Sequence, residues 1–183
     1  YSYPFDYVTI SKWCKEWLKS DFNQEAAWIY NGIDIEQYRP HKREFKDKIR
    51  ILIEGDSSSA HKNVDEAFLV SNKLDPSKYE VWYMSYNAKP KDWYRVDKFL
   101  HRVPYYEVQK VYADCDILLK TSLLESFSYP PIEMMATGGY VVALLNDGNK
   151  EYLEDGKNSL IYPNGDIDKA VHCIERIVSD QAL

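Results

Sequence analysis

Asp116-Ile117-Leu118-Leu119, leading into Leu124-Glu125-Ser126-Phe127-Ser128-Tyr129-Pro130-Pro131-Ile132-Glu133, is the stretch that decides how this chain folds. A short run of consecutive apolar residues reads as a strand covered on both faces. The Pro-Pro pair that follows a polar loop reads as the start of a helix, where a missing N–H costs nothing, and would place Glu133 in the first turn. The same order repeats outward in both directions. Apolar runs at Ile51 to Glu54, Glu80 to Met84, Tyr140 to Leu145 and Ser159 to Tyr162 are separated by helical stripes. Val64, Ala67, Phe68 and Leu74 form one stripe, Val108, Val111, Tyr112 and Cys115 another. Ile167, Ala170, Val171, Ile174, Ile177 and Val178 form the clearest. Five strands alternating with helices predict an α/β fold, a doubly wound, mostly parallel sheet with helices on both faces. In such sheets ligands bind beyond the carboxyl ends of the strands, where the strand order reverses. The loops to inspect therefore begin at Gly55, Ser85, His101, Lys120 and Asn146.

Upstream, Tyr7 to Ile10 reads as the end of a strand, Ser11 as a cap for a helix over Lys12 to Phe22, and Ala26 to Tyr30 as a second strand. Asn31-Gly32-Ile33-Asp34 is a turn sequence, and the charged stretch from His41 to Lys48 reads as a linker. Position 1 is Tyr and no signal-type segment opens the chain, so it is expected to be a piece of a longer polypeptide.

Composition narrows the functional classes. With 183 residues, 45% of them apolar and 28% charged, the chain can bury a real core. A net charge of -6 opposes general attraction to nucleic acid, so no nucleic-acid partner is expected. No apolar run approaches the length of a membrane helix. Cys14, Cys115 and Cys173 are odd in number and far apart, which implies no disulfide framework and fits a reducing cytoplasm. His41, His61, His101 and His172 lack metal-ligand spacing among themselves or with the cysteines, so no metal is expected. Neither a P-loop nor a Gly-x-Gly-x-x-Gly fingerprint is present, and no Gly-x-Ser-x-Gly elbow supports a serine nucleophile.

Two loops carry chemistry. In the first, free amides around Phe127 to Tyr129 at a helix start form an anion site suited to a pyrophosphate. Glu133 beside it is suited to accept from the vicinal hydroxyls of a ribose, and Glu125 from those of a second sugar. On spacing alone, Glu133 as a helix-dipole partner and Glu125 as a solvated loop residue remain the plainer alternative. An acid-base carboxylate dyad is a further reading. The second loop runs from Gly55 to Asn63: Gly55 permits close backbone approach, and Lys62 brings a point charge to a phosphate, or else is simply solvent exposed.

These residues, together with Asn31-Gly32-Ile33-Asp34, Val103-Pro104, Ala136-Thr137-Gly138-Gly139, Asp155-Gly156-Lys157-Asn158 and Tyr162-Pro163, occur in an order that resembles a family 4 glycosyltransferase. The resemblance covers nearly the whole chain and points to the C-terminal, donor-binding half of a two-domain GT-B enzyme. It implies a retaining transfer from a nucleoside-diphosphate sugar to a glycan or lipid-linked acceptor, without cofactor or metal. On it, Glu125 contacts the transferred sugar, Glu133 the ribose, and Lys62 the diphosphate. Ser126, Phe127, Ser128 and Tyr129, together with Gly55 of the other loop, line the substrate site, and Arg102 and Val103 lie near the base. Residues 1–24 are then the tail of an N-terminal acceptor-binding domain and its crossover, and 25–183 the donor domain. Peripheral membrane association would run through that other half. Two departures stand out: Asp56 occupies the usual position of an arginine, and Ser126 and Ser128 stand where glycines flank the aromatic residue. Exchanging cation for anion beside a diphosphate reverses an interaction of about several kcal/mol. A degenerate domain kept as a binding or scaffold module, and a nucleotide-sugar epimerase, are the alternatives.

Overall fold

A computed structural model describes residues 5–45 and 47–180. Residues 1–4 of the expected tail, position 46 of the linker and 181–183 lie outside this description. The chain runs β1 (Tyr7–Thr9), α1 (Lys12–Phe22), β2 (Ala26–Trp28), β3 (Ile49–Glu54), α2 (Val64–Ser71), β4 (Tyr79–Ser85) and β5 (Lys98–His101). It continues through α3 (Tyr105–Asp114), β6 (Ile117–Lys120), α4 (Tyr129–Ala136), β7 (Tyr140–Ala143), β8 (Leu160–Ile161) and α5 (Ile167–Ser179). Six strands form one parallel sheet in the order β5-β4-β3-β6-β7-β8, and β1 and β2 pair separately. The doubly wound α/β expectation therefore holds.

From Arg50 onward the sheet has six strands where five were expected, because Lys98–His101 pairs with β4 as an edge strand. Lys98 and His101 at its ends are exposed, and only Phe99 and Leu100 between them are half-buried, which is too little apolar signal for a strand at sequence level. Each face of the sheet has its own core. Ile51, Ile53, Tyr83, Ile117 and Leu119 pack with Phe68 of α2 and Ile174 of α5. Leu52, Trp82, Leu118 and Val141 pack with Tyr112 of α3 and Met134 of α4. Alternate residues of each strand feed opposite layers, so consecutive apolar residues were required.

The linker is bound tightly to the sheet's helices. Arg43 donates to the carbonyls of Tyr112 (2.8 Å), Ala113 (2.7 Å) and Cys115 at the end of α3, and to the Thr137 carbonyl (3.0 Å) at the end of α4. A cation on two helix C-termini satisfies orphan carbonyls and complements both dipoles. The upstream segment also docks on this domain. Glu151 accepts from the Lys12 amide (2.6 Å) at the start of α1, and the Trp13 indole donates to the Ser126 carbonyl (3.0 Å). Ser11 was expected to cap α1, but its buried hydroxyl makes no such bond and Glu151 takes that role.

Candidate donor site at the switch point

Connections leave β3 toward β4 and β5 on one side and return to β6 on the other, so the order reverses between β3 and β6. Their carboxyl ends are Glu54-Gly55 and Lys120-Thr121, and both candidate loops start there. Gly55 has φ +146°, which side chains rarely adopt, and a Cβ on it would sit 3.1 Å from Val64. That glycine turns the chain into the 3-10 turn Ala60–Lys62. Leu123 donates to the His61 carbonyl (2.8 Å) and the Thr121 hydroxyl to the Lys62 carbonyl (3.3 Å), tying the two loops together.

Lys62 and Glu125 thereby meet. The Lys62 ammonium donates to Glu125 Oε1 at 2.7 Å, so the lysine is neither simply solvent exposed nor distant from the loop carboxylate. Burial raises the Glu125 pKa, but Lys120 and Lys62 outweigh it, and the net shift is downward. Lys120 is 1% exposed, and its Nζ bonds Glu54 Oε2 at 2.5 Å and lies 3.5 Å from Glu125 Oε1. Neither Lys120 nor Glu54 was singled out from sequence. Leu52 pairs with Leu118 and Ile53 with Leu119, so Glu54 and Lys120 are the next cross-strand neighbours. That pairing is visible only once the register is known.

Glu133 sits on α4, within electrostatic reach of Glu54 and Lys120 of this network. The helix starts at Tyr129 with Ser128 as N-cap, so Glu133 falls in the second turn; the first-turn expectation is corrected because Pro130 and Pro131 follow the first helical residue. From there its carboxylate faces α3 and the segment after β2, accepting from the Tyr38 hydroxyl at 2.7 Å, with Tyr112 also bonded to it. Burial raises the Glu133 pKa, and the tyrosine hydrogen bonds only partly offset this. The Phe127 ring is buried against Tyr129 and Tyr152, each 5.4 Å between centroids. Among the described residues the Phe127, Ser128 and Tyr129 amides have no backbone acceptor, and the buried Ser128 hydroxyl has no partner. Ser128 itself adopts φ +69°, a geometry that a glycine at this position would hold with less strain.

Asp56, the departure that most threatened the site, is turned into its own loop. Its carboxylate accepts from the Ser58 amide (3.0 Å) and hydroxyl (2.7 Å), which holds its pKa below the ordinary value. Arg102 and Val103 follow β5; Arg102 has φ +55° and its Nε donates to the Tyr86 carbonyl at 3.2 Å. A cavity of about 400 Å³ beside them is also lined by Trp82, Glu107 and Val111. Arg102 and Val103 do not join the Lys62–Glu125 network.

A buried asparagine lock that sequence reading missed sets the Glu125 loop. Asn146 donates to the Ser122 carbonyl (2.8 Å), clamping the turn after β7 onto the loop after β6, and Asn149 closes that turn by donating to the Leu144 carbonyl (2.9 Å). Gly148 in that turn presses against the Glu125 backbone: a Cβ there would collide with the Glu125 carbonyl oxygen and sit 2.9 Å from the Phe127 nitrogen. Gly148→Ala is expected to cost about 1 to 3 kcal/mol of stability, the range for overpacking. Urea unfolding of the two proteins checks this, and an unchanged midpoint would mean that the loop yields freely.

Among the described residues no three His, Cys, Asp or Glu side chains converge as a metal site, and no helix is long and apolar enough to cross a membrane. Residues 95–183 match the family described as glycosyl transferases group 1. The chain is 26% identical to the O-antigen chain mannosyltransferase RfbU of Salmonella typhimurium, covering 89% of this chain and 48% of that protein. Its fold is similar to Anabaena Alr3699/HepE, solved in complex with UDP-glucose, with TM-score 0.79, 18% identity, and 95% and 54% of the two chains covered. It is also similar to sucrose-phosphate synthase from Thermosynechococcus elongatus, with TM-score 0.78, 15% identity, and 96% and 49% covered. The chain thus spans about half the length of these relatives. Residues 95–183 are thus similar to the glycosyl transferases group 1 family, and the parallel α/β fold that holds them is the fold of these solved structures.

Proposed function

We propose that this chain is the donor-binding part of a glycosyltransferase that moves a sugar from a nucleoside-diphosphate sugar to a glycan or lipid-linked acceptor. The observation that carries this reading is the convergence at the switch point. Lys62 and Glu125 form an ion pair beside the loop that leads into α4, and Glu133 stands in the second turn of that helix, within electrostatic reach of Lys120. A diphosphate seated on the amides of Phe127 to Tyr129 would draw on the helix dipole and on Lys62, which stabilises the departing charge without a metal. Glu133 then accepts from the ribose hydroxyls and Glu125 from those of the sugar, with Ser126, Gly55, Arg102 and Val103 completing the walls. In this reading transfer proceeds with retention, and the acceptor contacts belong to an N-terminal half that closes over the donor and excludes water. The enzyme would work in the cytoplasm, with any membrane contact made through that half.

Calorimetric titration of the chain with uridine, guanosine and adenosine diphosphates tests the reading. Saturable heat with one of them is expected. Silence with all three would favour a scaffold role for the fold. Product analysis with the intact polypeptide separates transfer from epimerisation, and measurable transfer by residues 1–183 alone would overturn the assignment of acceptor contacts to another half.

A further inference from the structure

Lys120 is the residue whose placement the preceding account leaves unexplained. It ends β6, whose four residues are all buried, and continues the face of Leu118 that packs against α3 and α4. An isoleucine or leucine would pack there without desolvating a charge, and a buried ammonium is tolerated only with close partners. Its partners are Glu54 and Glu125, 24% and 12% exposed at the side chain, so both are more open to solvent than the lysine between them. Glu125 Oε1 is shared: Lys62 approaches it at 2.7 Å and Lys120 at 3.5 Å. The two lysines differ in what they can reach. Lys62 sits on the turn before α2 with a quarter of its side chain exposed, whereas Lys120 is enclosed in the sheet.

We propose that Lys120 is a positioning residue for sugar transfer, keeping Glu125 in place at the sugar when the donor diphosphate draws Lys62 away. This rests on the donor-site reading above. Two lysines and two carboxylates balance in the network as it stands. When the diphosphate competes for Lys62, Glu125 loses its nearer cation, and repulsion between the carboxylate and the phosphates would push it off the sugar. Lys120, anchored from behind by Glu54, holds Glu125 against that repulsion. It also leaves a fixed positive charge behind the corner where Asp56 offers none.

The test uses the intact polypeptide carrying this chain, with Lys120→Met, Lys120→Arg and the doubly neutral Lys120→Met with Glu54→Gln. Nucleoside-diphosphate affinity is expected to stay within about 3-fold, because Lys62 and the α4 amides remain. The kcat is expected to fall by about 100-fold or more with KM little changed, the split expected when an interaction matters mainly in the transition state. The charged and titratable groups around Glu125 are Lys62, Lys120 with Glu54 behind it, and Tyr152. Removing Lys120 takes away a cation that lowers the Glu125 pKa, so the acid limb of the kcat profile should move to higher pH. Lys120→Arg should restore part of kcat and return the limb. If Lys120→Met does not fold, the double variant carries the same readouts, since it leaves no unpaired charge on Glu54. Unchanged kcat and acid limb would overturn the proposal, as would a loss of kcat matched by an equal loss of nucleotide affinity. If the unaltered protein binds no nucleoside diphosphate and Lys62→Ala changes nothing, the donor-site reading itself fails.

Discussion

Glu133→Ala is expected to weaken binding of a free nucleoside diphosphate by about 1.5 to 3 kcal/mol, the range for hydrogen bonds to a charged group. That corresponds to roughly 10- to 150-fold in Kd. The Tyr38 and Tyr112 hydroxyls already bond Glu133, so the ribose hydroxyls would take the lone pairs its carboxylate has left. Glu125→Ala should leave the same affinity nearly unchanged and act only on the intact nucleotide sugar. Lys62→Ala should weaken both ligands, with an effect that shrinks as salt rises, because screening acts on a partly exposed charge. Calorimetry of the three variants with nucleotide and with nucleotide sugar, at low and high salt, separates these patterns. If all three changed only thermal stability, the carboxylates would be helix and loop supports and the donor assignment would fail.

The two glutamates should also act on stability with opposite signs. Glu125 is held below its ordinary pKa in the fold, because Lys120 and Lys62 outweigh its burial, so its charge stabilises the folded chain above the usual carboxylate range. Glu125→Gln leaves the buried Lys120 with Glu54 as its remaining carboxylate partner and should cost about 3 kcal/mol at pH 7, the lower end for breaking a buried pair. That difference should vanish as pH falls through the lowered folded pKa and the carboxylate protonates in the native protein. Glu133 is shifted the other way, chiefly by burial, so its ionised form is the less stable one in the fold. Glu133→Gln should therefore raise stability at pH 7. The gain should shrink as pH falls from the raised folded pKa toward the ordinary carboxylate value, where Glu133 takes up its proton anyway. Urea unfolding at pH 7 and near pH 4 reads both differences, and a shared sign at pH 7 would contradict this division of roles.

Such a division, one carboxylate held charged by cations and one strained by burial, suits a site that must grip hydroxyls at one point and stabilise charge at another. The strain at Glu133 is of the kind that binding sites keep at the expense of stability. The asparagine lock supplies the rigidity, because buried Asn146 holds the loop after β6 against the turn after β7 and Asn149 braces that turn.

Much of the architecture was legible because covered parallel strands and amphipathic helices impose different apolar periods. The helix Lys12–Phe22 falls where the sequence reading placed it, as do the cores of five main-sheet strands to within two residues at each end. Edge strand β5 was not legible, since a strand with one neighbour and exposed ends needs no continuous apolar run. Within the site, the loops after Gly55 and Lys120 were found because a doubly wound sheet places ligands at its strand ends, and Lys62, Glu125 and Glu133 came with them. What those side chains touch was not available from spacing. Composition and periodicity by themselves determined the layers, the sheet type and which loops gather at the carboxyl edge, because these follow from local preference and burial. Only the tertiary structure decided that Lys120 faces Glu54, that Glu125 is shared by two lysines, that Asp56 closes its own turn and that Glu133 meets Tyr38. Each of these depends on strand register and helix phase, which set contacts between residues distant in the chain that no local pattern encodes.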